Sequence, residues 1–387
     1  MKVAYLIPEF PGLTHIIFWR EAVRLREKPG VEVVFASTRR PANPSPHAFA
    51  SSPCLYTWPP QWGALLRSVS IRRLWKQIRF ALALPEGGWR ERIKVLCLIP
   101  SAWTMAAWVR REGVDHVHVH SFAAALYLAA LAHLACDIPY SAVLHGGIGV
   151  YGLNHAAKLS EARFACVVSE ALRAQVEAVA PGKCLPALVP CGVDLSVFYA
   201  APRVPGAVLR LISVGRLNLA KGIDRMFEAL ARLGDKIAVH YTLVGSGPDE
   251  AVLRAQVEQL SLSDKVTFLG PRGEAEIVPL LQAHDVAVLT SHGPFEATAT
   301  AIREAMATGM PVIMTRVGDA ERMVDPGQSG ILVDQNDVQQ IADAILWFSA
   351  HRDRIPAMGA AARAKAVAAF SDTVGPEALY RAIAVAR

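Results

Sequence analysis

Apolar residues fall into short β-branched runs separated by longer amphipathic stretches, with turn residues between them. Val3 to Ile7 is a strand. A loop, Pro8-Glu-Phe-Pro-Gly-Leu-Thr14, leads into a helix over roughly His15 to Glu27, and Val31 to Ala36 makes the next strand. Further strands are expected at Asp115–His120, Tyr140–Leu144, Phe164–Ser169 and Leu185–Pro190, with a helix over Phe122–Cys136. Residues 39–63 are rich in Pro, Ser and Trp and read as irregular. Cys191–Gly206 has no period and reads as a connection. The alternation then restarts: strands at 209–214, 238–244, 266–269, 286–290 and 312–315, and helices at 222–233, 249–260, 274–283 and about 298–307, the last stopped by Gly309 and Pro311. Two successive βαβ series predict two doubly wound parallel sheets, with ligands in the crevices at the carboxyl ends of the strands.

At 387 residues, 52% hydrophobic and 19% charged, the chain is long enough for two domains with separate cores. The six cysteines (54, 97, 136, 166, 184, 191) form no C-x-x-C pair. Most lie in apolar runs, which fits reduced thiols in a cytoplasmic protein better than a disulfide frame or a zinc site. The apolar run at the N-terminus is too short for a signal peptide, and the run from Phe122 to Leu131 is too short to span a bilayer.

Charge changes the picture at one place. Between Gln61 and Glu112 there are ten Lys/Arg against three acids, a surplus of seven where the whole chain carries +6. Within it Ile71, Leu74, Trp75, Ile78 and Leu82 follow helical spacing, interleaved with Arg72, Arg73, Lys76 and Arg79, and Trp58, Trp62 and Trp89 lie nearby. Two readings stay open for residues 62–94: a contact with a membrane surface, or a surface helix whose apolar stripe packs on the sheet. No nucleic-acid motif accompanies the charge, so nucleic acid is not expected as a partner.

Candidate chemistry sits at strand ends. His116, His118 and His120 share one face of a strand, a spacing that could hold a metal. No carboxylate or cysteine partner is apparent, which favours structural or cleft-lining roles. His145 ends its strand and is followed by Gly146 and Gly147, which points to a functional role. Val214-Gly-Arg-Leu-Asn-Leu-Ala-Lys-Gly222 places Arg216 and Lys221 around a turn leaving a strand, cations suited to a diphosphate leaving group. Val244-Gly-Ser-Gly-Pro248 is a tight turn whose bare backbone at Gly245 and Gly247 could approach a nucleotide. Glu296 and Glu304, with seven residues between them, could accept hydrogen bonds from a polyhydroxylated ligand near a helix N-terminus.

Taken together, Val214-Gly-Arg216, Lys221-Gly222, Val244–Pro248, the Glu296-x7-Glu304 pair and Glu304-Ala-Met-Ala-Thr-Gly-Met-Pro-Val312 resemble a family-4 retaining glycosyltransferase of the GT-B fold. The first half resembles the exopolysaccharide branch more loosely, through Phe10–Thr14, His116–His120, the His145 turn and Pro190–Asp194. The resemblance implies two Rossmann-like domains facing a central cleft: an acceptor-side domain (1–192), a linker (193–206), a nucleotide-sugar domain (207–368) and a helix (369–387) crossing back to the first. It implies that Arg216 and Lys221 hold the diphosphate, Glu304 the ribose, and Glu296 the donor sugar, with His145 reaching that sugar from the first domain. Gly12, Gly245 and Gly247 would line the donor. No metal or other cofactor is implied, and no D-x-D motif occurs. The acceptor would be a glycan or a lipid-linked sugar, and the enzyme cytoplasmic or peripheral on the inner membrane face.

The chain departs from the family where glycine usually follows Glu296. Ala297-Thr-Ala-Thr300 stands there, so the hydroxyls of Thr298 and Thr300 would substitute. The first loop has a single Gly12, and His15 stands where the branch tends to be acidic. Two other readings remain: a GT-B sugar-nucleotide epimerase, and a catalytically silent sugar-nucleotide-binding protein.

Overall fold

A computed structural model describes every residue except 13–15, 42–50, 64–68, 184–187, 205, 294–295, 297 and 387. The chain forms two compact units, one of residues 1–191 with 372–387, the other of residues 192–371.

In the first unit, β1 (Lys2–Glu9), β2 (Glu32–Arg39), β3 (Cys54–Tyr56), β4 (His116–Val119), β5 (Tyr140–Leu144) and β6 (Phe164–Val167) form one parallel sheet in the order β3-β2-β1-β4-β5-β6. Such strands are buried on both faces. β4 shows this directly: Val117 and Val119 are buried on one side and His116 and His118 on the other. The alanine- and leucine-rich helix Ala124–Cys136 is apolar almost all round and buried along nearly its whole length.

The second unit repeats the plan. β7 (Leu209–Val214), β8 (Val239–Val244), β9 (Val266–Gly270), β10 (Val286–Leu289), β11 (Val312–Thr315) and β12 (Gly330–Val333) are parallel in the order β12-β11-β10-β7-β8-β9. Counted from its own first strand, each sheet runs 3-2-1-4-5-6. The order therefore reverses between β1 and β4, and between β7 and β10. At such switch points the connecting loops part and leave a crevice. One face of the second sheet packs Leu211, Phe227, Leu230, Tyr241, Ile345 and Phe348, and the other is methionine-rich, with Met306, Met310, Met314 and Met323.

Several stretches differ from their sequence reading. β3 lies inside the stretch read as irregular, and pairs through only three residues. Among its described residues the basic stretch holds the helices Ile71–Leu82, Gly88–Leu96 and Ile99–Glu112; the last is buried along most of its length. Segment 193–206, read as a connection, is packed into the second unit. Val193 and Phe198 are buried there, and the Arg203 guanidinium donates to the carbonyls of Leu281 and Gly309. Of the strand expected at 185–190, residues 185–187 lie outside the described residues, and Leu188 makes one bridge to Val167. The helix Val374–Val385 belongs to the first unit, where it packs on the helix Ile16–Arg26. Among the described residues no helix is long and apolar enough to cross a membrane. Cys97 is exposed, whereas Cys166 and Cys191 are buried; Cys184 lies outside the described residues.

Candidate active site

The switch point of the second sheet collects most of the singled-out residues. β7 ends at Val214, and Gly215 carries the chain out at φ 153°. Leu217 N–H donates to the Ser246 carbonyl at 3.0 Å, tying this loop to the one after β8. Asp249 Oδ2 accepts from Leu219 N–H at 2.8 Å, and a single 3-10 turn, Leu219–Lys221, follows. Gly222, at φ 64°, reverses the chain into the helix Ile223–Leu233. A Cβ there would stand 2.0 Å from the Thr290 carbonyl, so only glycine fits. The Thr290 hydroxyl, just past β10, donates to the Gly222 carbonyl at 2.8 Å. Lys221 is thereby fixed between the ends of β7 and β10.

Glu296 meets it from the far side. Its carboxylate pairs with Lys221 Nζ, accepts from the Ser291 hydroxyl at 3.1 Å, and accepts from Ala299 N–H at 3.1 Å. The last bond reaches the start of the helix Thr300–Ala307, where an anion is favoured by unpaired N–H groups and the helix dipole. Glu296 is only 11% exposed, so three donors offset the cost of burying it. Ala299, at φ 40°, caps this helix in a left-handed conformation that glycine adopts without strain. The Thr298 and Thr300 hydroxyls lie 3.3 Å apart, half-buried. Ala297, Pro294 and Phe295 lie outside the described residues. The helix starts at Thr300, two residues later than its apolar pattern suggested.

Gly245 and Gly247 have a structural requirement of their own. A Cβ on Gly245, at φ 138°, would stand 1.9 Å from the Gly215 carbonyl, and one on Gly247 2.1 Å from the Leu217 carbonyl. The bare backbone lets the β8 turn close on the Arg216 loop. Arg216 is exposed, and among the described residues its guanidinium meets no side-chain partner. Glu304 is half-buried, one turn into the helix from Thr300. A pocket of about 20 Å³, room for roughly one water, lies beneath, lined by Ser213, Gly215, Arg216, Lys221, Val288 and Thr290.

His145 belongs to the first unit. It follows β5, with Nε2 3.3 Å from His120 Nδ1 and Nδ1 3.8 Å from Cys191 Sγ. Phe18 lies against both imidazoles, with ring centroids 4.5 and 4.9 Å away. His116 and His118 share the hydroxyl of Ser141, at 2.7 and 2.8 Å. A carboxylate partner for this cluster, not apparent along the sequence, comes from Glu21. Its Oε1 accepts from the Tyr5 hydroxyl at 2.7 Å and lies 3.7 Å from His120 Nε2. Burial pushes the Glu21 carboxyl up to about 7, against the opposing pull of the Tyr5 hydrogen bond. Burial, with His116 adding to it, holds His118 well below the usual histidine range, so it is neutral. The signal for Glu21 was its helical spacing: Phe18, Glu21, Ala22 and Leu25 lie on one stripe facing the sheet. Gly12 is half-buried in the first loop, and residues 13–15 after it lie outside the described residues.

Comparison with known proteins now adds to this geometry. The model for Glycosyltransferase Family 4 matches residues 18–197, and that for Glycosyl transferases group 1 matches residues 202–365. A putative colanic acid biosynthesis glycosyltransferase, WcaL of Salmonella typhimurium, is 36% identical over 164 residues, 41% of this chain and 40% of the relative. An amylovoran biosynthesis glycosyltransferase, AmsK of Erwinia amylovora, is 30% identical over 181 residues, covering 46% of this chain and 44% of its own. The chain thus matches less than half the length of these curated relatives. Among solved structures, Anabaena HepE in complex with UDP-glucose superposes with a TM-score of 0.76 at 18% identity, covering both chains in full. Sucrose-phosphate synthase from Thermosynechococcus elongatus gives 0.75 at 21%, also with full coverage of both. These two likenesses bear on the fold alone.

Proposed function

The chain belongs to the family-4 glycosyltransferases of the GT-B fold, and from that premise we propose that it transfers a sugar from a nucleoside diphosphate to a glycan or lipid-linked acceptor, with retention of anomeric configuration, in cell-surface polysaccharide assembly. The observation that carries the reading is the Lys221–Glu296 pair at the β7/β10 switch point, with the exposed Arg216 beside it. When a diphosphate leaves, negative charge develops on its oxygens. A lysine and an arginine already in place stabilise that charge without solvent reorganisation, and no metal is required. Donor binding then draws Lys221 to the phosphate and frees the Glu296 carboxylate for sugar hydroxyls, while Glu304 takes the ribose and Thr298 and Thr300 face the phosphates in place of the family's glycine. His145 serves the donor sugar from the first unit.

The acceptor fits a cavity of about 670 Å³ in the first unit, at the carboxyl ends of β1 and β2, where Trp58 offers an aromatic face and Arg39, paired with Glu9, a cation. Nearby, Ile71, Trp75 and Leu82 are exposed on the helix Ile71–Leu82, whereas its buried residues are Gln77 and Ala81. Three of the five stripe residues therefore face outward, with Leu74 and Ile78 half-buried, which favours a membrane-surface contact, each nearby cation adding about 1 kcal/mol of attraction to anionic lipid.

UDP-glucose is the first donor to test, since HepE is recorded with it. In a transfer assay, Lys221→Ala and Glu296→Gln are expected to lower kcat/KM by about 10²-fold or more each, with unfolding midpoints little changed. Activity in EDTA should equal that without it. Donor turnover without an acceptor would instead mark an epimerase, and near-wild-type transfer by both variants would remove the site assignment.

A further inference from the structure

The first unit holds a run of titratable side chains that the reading above leaves unused except at its end: Tyr5, Glu21, His120, His145 and Cys191. Glu21, His118 and His120 could be read as metal ligands, since one atom from each lies within 4.8 Å of the others. Metal bonds of about 2.1 Å would bring ligand atoms to roughly 3.4 Å of one another. Here Glu21 Oε1 stands 3.7 Å from His120 Nε2, and Glu21 already accepts from Tyr5. The spacings suit proton sharing better. We propose that Glu21 is a positioning residue that, through His120, decides which ring nitrogen of His145 carries the proton.

His120 Nε2 stands 3.7 Å from Glu21 Oε1, too far for a good hydrogen bond but close enough for the sign of the facing dipole to matter in a buried site. An ionised Glu21 repels a lone pair and attracts an N–H, so neutral His120 keeps its proton on Nε2. Its Nδ1 is then an acceptor, and His145 must donate from Nε2 across their 3.3 Å contact. A neutral imidazole holds one proton, so His145 Nδ1 is left as a lone pair, facing the Cys191 thiol. Protonating Glu21 reverses every step. The acid faces the lone pair of His120 Nε2, His120 donates from Nδ1, and His145 accepts at Nε2 and carries its proton on Nδ1. The proton count on each ring is unchanged; only the tautomers move. The surroundings hold the rings in place. Tyr5 from β1 donates to Glu21, neutral His118 from β4 stands edge-on to His120 at 5.0 Å, and Phe18 covers both imidazoles. Arg26 and Cys166 act on Tyr5 with opposite signs.

The inference rests on the proposed role of His145 for its effect on transfer, but not for the tautomer itself. The full chain labelled with 15N-histidine, without donor, reports each ring nitrogen by NMR. In the wild type, His145 is expected to pass from Nδ1–H to Nε2–H as pH rises through about 7, the range in which Glu21 ionises. Glu21→Gln, whose amide oxygen keeps accepting from Tyr5 and so faces His120 Nε2 as an acceptor at every pH, should hold His145 as Nε2–H throughout and remove that step from the pH profile of transfer. His120→Phe should abolish the pH response of His145 while leaving the ring stack. A His145 tautomer that ignores pH and is identical in wild type and Glu21→Gln overturns the proposal. So does one equivalent of Zn²⁺ bound by the wild type and lost in Glu21→Gln, which would make the cluster a metal site. A normal tautomer switch with an unaltered transfer profile retains the switch and removes only its link to the transfer reaction.

Discussion

Glu21 places a carboxylate, 12% exposed, on the same helical stripe as Phe18, Ala22 and Leu25. Its folded-state value of about 7 lies above the ordinary 4.5, so between these values the folded chain holds a proton that the unfolded chain has released. Unfolding then loses a proton at Glu21, and this residue's own contribution to stability falls as pH rises through that window, by about 3 kcal/mol in all. Glu21→Gln removes the titration. Its denaturation midpoint should match the wild type near pH 4.5 and exceed it at pH 8, and a difference between the two that does not grow over this range would contradict the assignment. The glycines show a different side of the residue scale. Gly245 and Gly247 attracted notice as bare backbone for a nucleotide, yet each also has a neighbouring carbonyl within about 2 Å of its missing Cβ. One residue type satisfies two demands, and spacing along the chain cannot separate them. Arg216 and Lys221 were legible because their turn leaves a strand. Ser291 and Thr290 were not, since a hydroxyl that fixes a neighbour's backbone has no pattern to distinguish it.

Strands and helices with a clean period emerged nearly as their apolar spacing implied; β5, β7, β11 and the helix Glu274–Ala283 match it at both ends. What was missed has a physical cause. β3 has three residues, too few to show a period, and the helix Ile99–Glu112 is buried so fully that its pattern has no polar face. The helix Ile71–Leu82 was legible as amphipathic, but the direction of its apolar face was not. The buried Gln77, held by Trp103 Nε1 at 2.8 Å and by the Leu131 carbonyl at 2.8 Å, turns Ile71, Trp75 and Leu82 outward while Leu74 and Ile78 stay half-buried. Arg73 on this helix is committed to Asp137 and the Ala135 carbonyl, so the cations available to a lipid surface are Arg72, Lys76 and Arg79. Replacing these three with Glu is expected to abolish flotation with vesicles containing phosphatidylglycerol while leaving the unfolding midpoint within about 0.5 kcal/mol of wild type. Unchanged flotation would reject the membrane contact.

At the scale of the whole chain, the order of segments carries its own consequence. The first unit is made of residues 1–191 and 372–387, and the second is inserted between them. The returning segment is held to the first unit by the Arg24–Asp372 bond at 2.6 Å, by the Lys28–Glu377 pair, and by the close packing of Gly375 on the Pro190 carbonyl. Asp372 is only 6% exposed, so removing it strands Arg24 beside a desolvated position. The second unit, by contrast, keeps its whole sheet, both apolar layers and the Lys221–Glu296 pair within one continuous stretch. It crosses no break in sequence and should fold by itself. A fragment of residues 192–371 is expected to unfold on heating in one cooperative step, and on the proposed function UDP should raise its midpoint by an amount that grows with the logarithm of UDP concentration above Kd. A fragment of residues 1–191 lacks the helix Val374–Val385 and leaves its seat on the helix Ile16–Arg26 exposed to water. It should unfold at a lower temperature than the same residues do in the full chain, and adding a peptide of residues 372–387 should restore part of the difference. A fragment 192–371 with no cooperative transition would show that its layers depend on the first unit, and that the insertion is one of sequence alone.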